Sequence, residues 1–301
     1  MNVPRAERVA VATQHLLPKQ VLTRAAGALA GLRGGAATTA VIRRFIQRYG
    51  VDMAQAAEPD PAAYATFNDF FTRALKSGAR PLAQADLLCP VDGAISQFGA
   101  IDGGRIFQAK NHGYSATALV GGDAALAAHF HGGYFATLYL SPKDYHRVHM
   151  PCAGRLLRMI HVPGDLFSVN PATARGVPGL FARNERVVCV FEGTAGVLKD
   201  RPWVLVLVGA TIVGSMATVW HGLVNPPRPG TVREWAYHDR RVELAQGAEL
   251  GRFLLGSTVV MLFPTGPLHF NLDWQPGGGL RMGEAMASLA VHGSAQATAA
   301  V

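Results

Sequence analysis

The stretch Pro202-Trp203-Val204-Leu205-Val206-Leu207-Val208-Gly209-Ala210-Thr211-Ile212-Val213-Gly214-Ser215 opens an uncharged run that reaches residue 227. Its reading decides the fold. The length alone would permit a membrane-spanning helix. The composition opposes one. Val and Thr are frequent, Gly209 and Gly214 interrupt the run, and Asn225-Pro226-Pro227 ends it. Two buried strands with a bend near Gly209 or Gly214 account for it better. The same texture of short β-branched runs between Gly, Pro and Asn covers 93–98, 135–140, 156–162, 187–191, 204–208 and 259–263. That pattern predicts a mainly antiparallel β core.

Upstream the texture is helical. Pro18 suits a first-turn position of a helix over 18–33, with Leu17, Val21, Ala25, Leu29 and Leu32 on one stripe. A second helix is predicted over 39–49, capped by Thr38 or Thr39 and stopped by Gly50. Its Ile42, Phe45, Ile46 and Tyr49 share one face, and Arg43, Arg44, Gln47 and Arg48 fill the other. Residues 51–65 read as a connector, and a short helix over 67–76 follows, with Phe67, Phe70 and Phe71 on one side. The fold class is therefore α+β: N-terminal amphipathic helices, then an antiparallel β catalytic core. The division expected is 1–65 basic and helical, 66–291 core, and 292–301 a frayed Ala-rich tail.

Charge follows the same division. The 301 residues hold 28 Lys+Arg and 20 Asp+Glu, a net of +8, and residues 1–50 contribute eight of the bases but a single acid, Glu7. The remainder is nearly neutral. Basic charge confined to one end fits attachment to an anionic surface, with membrane headgroups first, better than a nucleic-acid-binding body. The alternative reading of 39–49 is an ordinary surface helix packed on the core. Apolar stretches near the N-terminus are broken by Arg5, Glu7, Arg8, Lys19 and Arg24, so no signal-peptide pattern is present. Three Cys without a CxxC pair argue against a disulfide scaffold or a Cys-based zinc site.

Three short segments could carry chemistry. Asp92 lies in Pro90-Val91-Asp92-Gly93, where capping a turn is the ordinary role of Asp. His146 and His149 lie in Tyr145-His146-Arg147-Val148-His149-Met150-Pro151. Two His at this spacing could bind a metal from a helix, but Pro151 and the loop residues around it disfavour a long helix and no third ligand stands nearby. General acid–base work and a hydrogen-bonded core His both remain open. In Leu255-Gly256-Ser257-Thr258, a Gly before Ser leaves the hydroxyl free to approach the preceding carbonyl. GxGxxG, GxxxxGK[ST], HExxH and GxSxG are all missing.

Taken together with Phe67-Asn68-Asp69-Phe70-Phe71-Thr72-Arg73, Pro163-Gly164-Asp165-Leu166-Phe167-Ser168-Val169-Asn170, Leu180-Phe181-Ala182-Arg183-Asn184-Glu185-Arg186, Val208-Gly209-Ala210-Thr211 and Gly251-Arg252-Phe253, these segments resemble the phosphatidylserine decarboxylase proenzyme family in its long bacterial form. The resemblance spans about 65–285, and the extreme N-terminus and the Gly/Ala-rich C-terminal stretch are least like the family. It implies self-cleavage between Gly256 and Ser257 into a large β chain (1–256) and a small α chain (257–301). Ser257 Oγ would attack the Gly256 carbonyl, with His149 as base and Asp92 as its orienter. Ser257 would become a pyruvoyl group, the cofactor, which forms a Schiff base with the substrate amine and acts as electron sink for loss of CO2. His146 is the candidate proton donor to the resulting carbanion. No metal is required. The implied partners are phosphatidylserine in an anionic membrane surface and the chain's own cleaved halves as an α/β heterodimer, with further pairing left open. The implied location is the cytoplasmic face of a bacterial membrane, held peripherally. Two rivals remain: a serine protease or esterase, for which Asp92, His149 and Ser257 stand in subtilisin order, and a non-enzymatic basic membrane- or RNA-binding protein.

Overall fold

A computed structural model describes residues 5–289 apart from 110–111, 213–214, 227, 229, 240 and 255–256. The expected frayed tail, Gly214 and Gly256 of the expected cleavage site therefore lie outside the described residues.

One antiparallel sheet organises the core. Its main strands are β1 (Gly93–Ala100), β2 (Tyr134–Leu140), β3 (Arg147–His149, which joins another sheet), β4 (Gly154–Val162), β5 (Arg186–Gly193), β6 (Pro202–Val208), β7 (Arg233–Ala236), β8 (Glu249–Phe253, also in the other sheet), β9 (Ser257–Phe263) and β10 (Gly279–Leu280). The order in the large sheet is β7-β4-β5-β6-β9-β2-β1-β10. All six strand cores read from the sequence lie in it. β9 is buried along its whole length. Val259, Met261 and Phe263 face one hydrophobic core, and Val260 and Leu262 face the other. A strand covered on both sides carries a continuous apolar run rather than an alternating one. Each such side chain contributes about 1.5–3 kcal/mol by leaving water. The uncharged run at 202–227 starts with β6 and turns at Gly209, whose N–H donates to the Glu185 carbonyl at 2.8 Å. Among the described residues no helix is long and apolar enough to cross a membrane.

A smaller sheet joins β3 to β8, with His149 opposite Glu249. The His149 N–H also donates to the Pro90 carbonyl at 2.8 Å, which lays β3 beside the turn that carries Asp92. Gly93 is required there. Its φ is +157°, and a Cβ would stand 2.2 Å from the Tyr139 carbonyl oxygen, so only glycine lets β1 pass this close to β2.

The helix expected over 18–33 is shorter, and the one expected over 39–49 begins three residues earlier. α1 (Arg5–Leu16) was not anticipated, α2 spans Lys19–Ala30, and α3 spans Ala36–Tyr49 and is closed by Gly50 in the left-handed conformation. Thr38 does not cap α3 from outside; it sits inside the first turn and its Oγ1 accepts from the Gly34 N–H at 3.0 Å. The helix expected over 67–76 stops at Phe71, as α4 (Phe67–Phe71). Thr66 and Asp69 start it with a reciprocal capping box. It ends because Arg73 turns inward to the Lys143 carbonyl and Leu75 pairs with Ala56.

The apolar face of α3 is turned inward. Ile42 is fully buried with Val51 and Phe70, and Phe45 packs on the rings of Phe67, Phe70 and Phe71. The stripe on α2 is different: Val21, Leu29 and Leu32 stay exposed. The packed-helix reading therefore holds for α3, and the uncovered apolar surface belongs to α2. α1 is docked through Gln14, which bonds Thr173 and the Ser168 N–H.

Candidate active site

Three strand ends bring the reactive residues to one edge of the sheet. Asp92 immediately precedes β1, Leu140 ends β2, and Ser257 begins β9 opposite Leu140. At about 4.8 Å between neighbouring strands, Asp92 and Ser257 stand about two strand spacings apart. Ser257 is 1% exposed, and its Oγ has no hydrogen-bond partner among the described residues. It opens a strand rather than a helix, unlike the serine of a nucleophile elbow. The backbone just before it is anchored: Phe253 N–H donates to the His146 carbonyl at 3.1 Å and Leu254 N–H to the Ser215 carbonyl at 3.0 Å.

Ser257 lines a cavity of about 830 Å³. Its walls are mostly apolar, with Leu29, Leu32 and Val41 from the N-terminal helices, Phe71 from α4 and Ile212 from the loop after β6. Arg44 and Arg48 stand one turn apart on its α3 side. This is the size of a lipid-scale or drug-scale site.

A second, polar cavity of about 430 Å³ takes Asp92, Arg80, Asp144 and Tyr145 into its lining. Asp92 is held tightly there. Arg80 Nε donates to Oδ1 at 2.9 Å, and the Met282 N–H donates to the same oxygen at 2.9 Å. The pair is almost buried, with side-chain exposures of 9% and 11%. The hydrogen bond expected from Asp92 to His149 is not among those formed. His149 Nδ1 donates instead to the Gly247 carbonyl at 2.8 Å. That fixes the tautomer and leaves the lone pair on Nε2, which accepts from the Tyr145 hydroxyl at 3.1 Å. Burial lowers the His149 pKa below the ordinary value, and the Gly247 carbonyl and the Glu249 and Asp92 carboxylates oppose it. Burial pushes the Tyr145 hydroxyl up to about 12, which keeps it a donor.

His146 is fully buried against Phe71, ring centroids 4.0 Å apart. Its Nδ1 donates to the Asp144 carbonyl at 2.8 Å, and Nε2 has no partner. Burial pushes its pKa down to about 3, with the positive charge of Arg73 adding to the effect. The imidazole is thus neutral near pH 7, with its bare nitrogen at Nε2. Among the described residues no three His, Cys, Asp or Glu side chains converge as a metal site would require.

Sequence reasoning singled out Asp92, His146, His149 and Ser257 but missed Arg80, Tyr145, Gly247 and Met282. Tyr145 stood inside the quoted segment and was readable as a neighbour of two His. Gly247 and Met282 act through the main chain, where residue type carries no signal. Near the C-terminal end of the core, β10 adds a strand to the large sheet, and the next turn supplies a hydrogen bond to Asp92.

Comparisons with known proteins show the family to which the chain belongs. The profile of the phosphatidylserine decarboxylase family matches residues 67–288, and a second profile, described as PSD, matches residues 9–50. The chain belongs to the phosphatidylserine decarboxylase family. It is 71% identical over 285 residues to a phosphatidylserine decarboxylase proenzyme of Variovorax paradoxus (strain S110), covering 95% of this chain and 99% of that one. It is 69% identical over 284 residues to the proenzyme of Azoarcus sp. (strain BH72), with 94% and 97% covered. A Chromobacterium violaceum proenzyme is 69% identical over 283 residues, with 94% of this chain and all of that one covered. The family-matched span holds Asp92, His146, His149, Ser257 and the residues that contact them.

Proposed function

We propose that the chain is a self-cleaving proenzyme that decarboxylates phosphatidylserine to phosphatidylethanolamine and CO2. The observation that carries this reading is Ser257. Its hydroxyl is buried, without a hydrogen-bond partner among the described residues, and in the lining of a large apolar cavity, within a family of decarboxylase proenzymes.

In maturation, Ser257 Oγ attacks the Gly256 carbonyl as its proton passes to His149. The C–N bond breaks and an ester forms. Elimination then breaks the ester C–O bond and leaves the Gly256 carboxylate, and hydrolysis of the resulting enamine releases ammonia. Burial favours neutral His149, and with Nδ1–H given to Gly247 its basic lone pair is on Nε2, where the Tyr145 hydroxyl donates to it. Asp92 acts on it through its charge rather than by a hydrogen bond, because Arg80 and the Met282 N–H occupy its carboxylate.

The residues around position 257 fit a pyruvoyl group: a buried side chain, with no hydrogen-bond partner among the described residues, in the lining of a mostly apolar cavity. Such a group supplies an electron-withdrawing carbonyl to the amine-bearing substrate carbon, which makes loss of CO2 easy. His146 stands by as proton carrier. Its Nδ1 is committed to Asp144, so Nε2 must first take up a proton and then give it to the substrate. An anionic substrate beside it would raise its pKa toward that task.

The cavity mouth suits a lipid that stays in its bilayer. Leu29, Leu32, Val41 and Ile212 line the cavity and are also 49–67% exposed, so they form an apolar rim. The exposed Leu16 and Val21 extend it, and the Arg residues of α3 add attraction to anionic headgroups. This is peripheral docking on the cytoplasmic face of a bacterial membrane.

The test is to supply the purified, matured protein with phosphatidylserine in vesicles and, separately, with water-soluble glycerophosphoserine. CO2 and phosphatidylethanolamine should form far faster from vesicles. Matured protein that releases no CO2 from either would overturn the reading.

A further inference from the structure

His149 is engaged at both ring nitrogens. With Nδ1–H given to Gly247, the sole basic lone pair is on Nε2, and the Tyr145 hydroxyl donates into it. Tyr145 is 6% exposed, and its ring lies against the imidazole at 5.7 Å between centroids with a 32° tilt, so the contact is packed rather than incidental. A base whose lone pair already accepts a hydrogen bond cannot take a proton from a second donor until the first lets go. Ser257 Oγ, the donor in question, has no partner.

We propose that Tyr145 is a positioning residue for self-cleavage: its hydroxyl latches His149 through Nε2 in the uncleaved chain, and maturation begins when that bond is exchanged for one to Ser257. The proposal rests on His149 being the base. The groups that face His149 are Tyr145 from the loop before β3, Arg147 on β3, the Glu249 carboxylate and Gly247 carbonyl from the segment that ends in β8, and Asp92, clamped by Arg80, from the turn before β1. Glu249 is itself shared between Arg147 and Arg252. Among the described residues, Tyr145 alone forms a hydrogen bond to Nε2.

The latch has a sign. A donor to the lone pair stabilises neutral imidazole over imidazolium. Removing it frees the nitrogen for Ser257 and also makes the ring more basic. The experiment is cell-free synthesis of the full chain, pulse-labelled and then divided among buffers from pH 5 to 9, with appearance of the small chain followed on gels. Tyr145→Phe should mature about 2- to 10-fold faster on the alkaline plateau, the worth of one neutral hydrogen bond. Its half-maximal pH should lie higher, by about half a unit to one unit. Unchanged or slower maturation with an unmoved midpoint would overturn the latch. A second readout avoids cleavage altogether. In the Ser257→Ala chain with ¹⁵N-labelled histidine, adding Tyr145→Phe should shift the Nε2 resonance of His149 and raise its titration midpoint; identical spectra would overturn the proposal. His149→Ala in the same pulse assay separates the two levels. If it still cleaves, the base reading falls and the latch with it. If it is blocked while Tyr145→Phe leaves the profile untouched, the latch alone falls.

Discussion

The two cavities that flank the sheet edge differ in almost every physical respect. The larger is walled by Leu, Val, Phe and Ile and rimmed by side chains that remain exposed. The smaller is lined by Asp92, Arg80, Asp144 and Arg73, whose charges are pinned by hydrogen bonds. Ser257 faces the first, and His149 is held in place beside the second. The contrast separates two tasks. Binding a lipid needs area without commitment, so the apolar side is open. Moving protons needs fixed donors and acceptors, so the polar side is tied to the backbone of Ser141, Lys143, Gly247 and Met282.

That division can be broken from either side. The largest effect is expected on the polar side: His149→Ala should slow maturation by at least about 100-fold, the low end of what a positioned base contributes. Accumulation of full-length chain on gels would show it. Arg80→Met comes next. It leaves the buried Asp92 carboxylate without its partner, which costs about 3–5 kcal/mol. Urea titration of the uncleavable Ser257→Ala chain with and without the change measures this, and a loss under 1 kcal/mol would show that the clamp is unimportant.

Acid tests the same side. His146 is neutral when folded to about pH 3, whereas the unfolded imidazole takes a proton near 6.5. The unfolded state therefore binds more protons between those values. Stability from this group is complete above 6.5 and falls as pH drops toward 3, by about 1.4 kcal/mol per unit inside the window. In the Ser257→Ala chain, replacing His146 with Gln should flatten that acid slope; an unchanged slope would place the loss elsewhere.

The smallest effects belong to the apolar side. Leu29→Ser with Leu32→Ser should weaken binding to phosphatidylserine vesicles by about 10-fold or more, since each removes an exposed apolar contact with the bilayer. Self-cleavage should be unaltered, because neither residue is among the groups that bond or charge-couple to His149 or Asp92. A matched loss of cleavage would show that the two sides are not separate.

The sequence displayed one side of this division better than the other. β-branched runs between Gly and Pro located six strands of the large sheet to within a few residues, because buried strands favour such side chains, but not β7 or β10 at its margins. Asp92, His149 and Ser257 were visible through the order of short segments. Their partners were not. Gly247 and Met282 contribute backbone groups, and Arg80 reaches Asp92 across a fold that no local pattern encodes. The ends of the helices also escaped: α4 stops early because Arg73 and Leu75 are claimed by distant contacts, which override the helical spacing of the Phe residues.

The central claim is that position 257 is where the chain cuts itself. Intact mass under denaturing conditions, on purified wild type and Ser257→Ala, tests it most directly. The account predicts two wild-type fragments split between 256 and 257, with the small one beginning in a pyruvoyl group, and a single uncut Ser257→Ala chain. One uncut chain from wild-type protein that actively decarboxylates phosphatidylserine would contradict it.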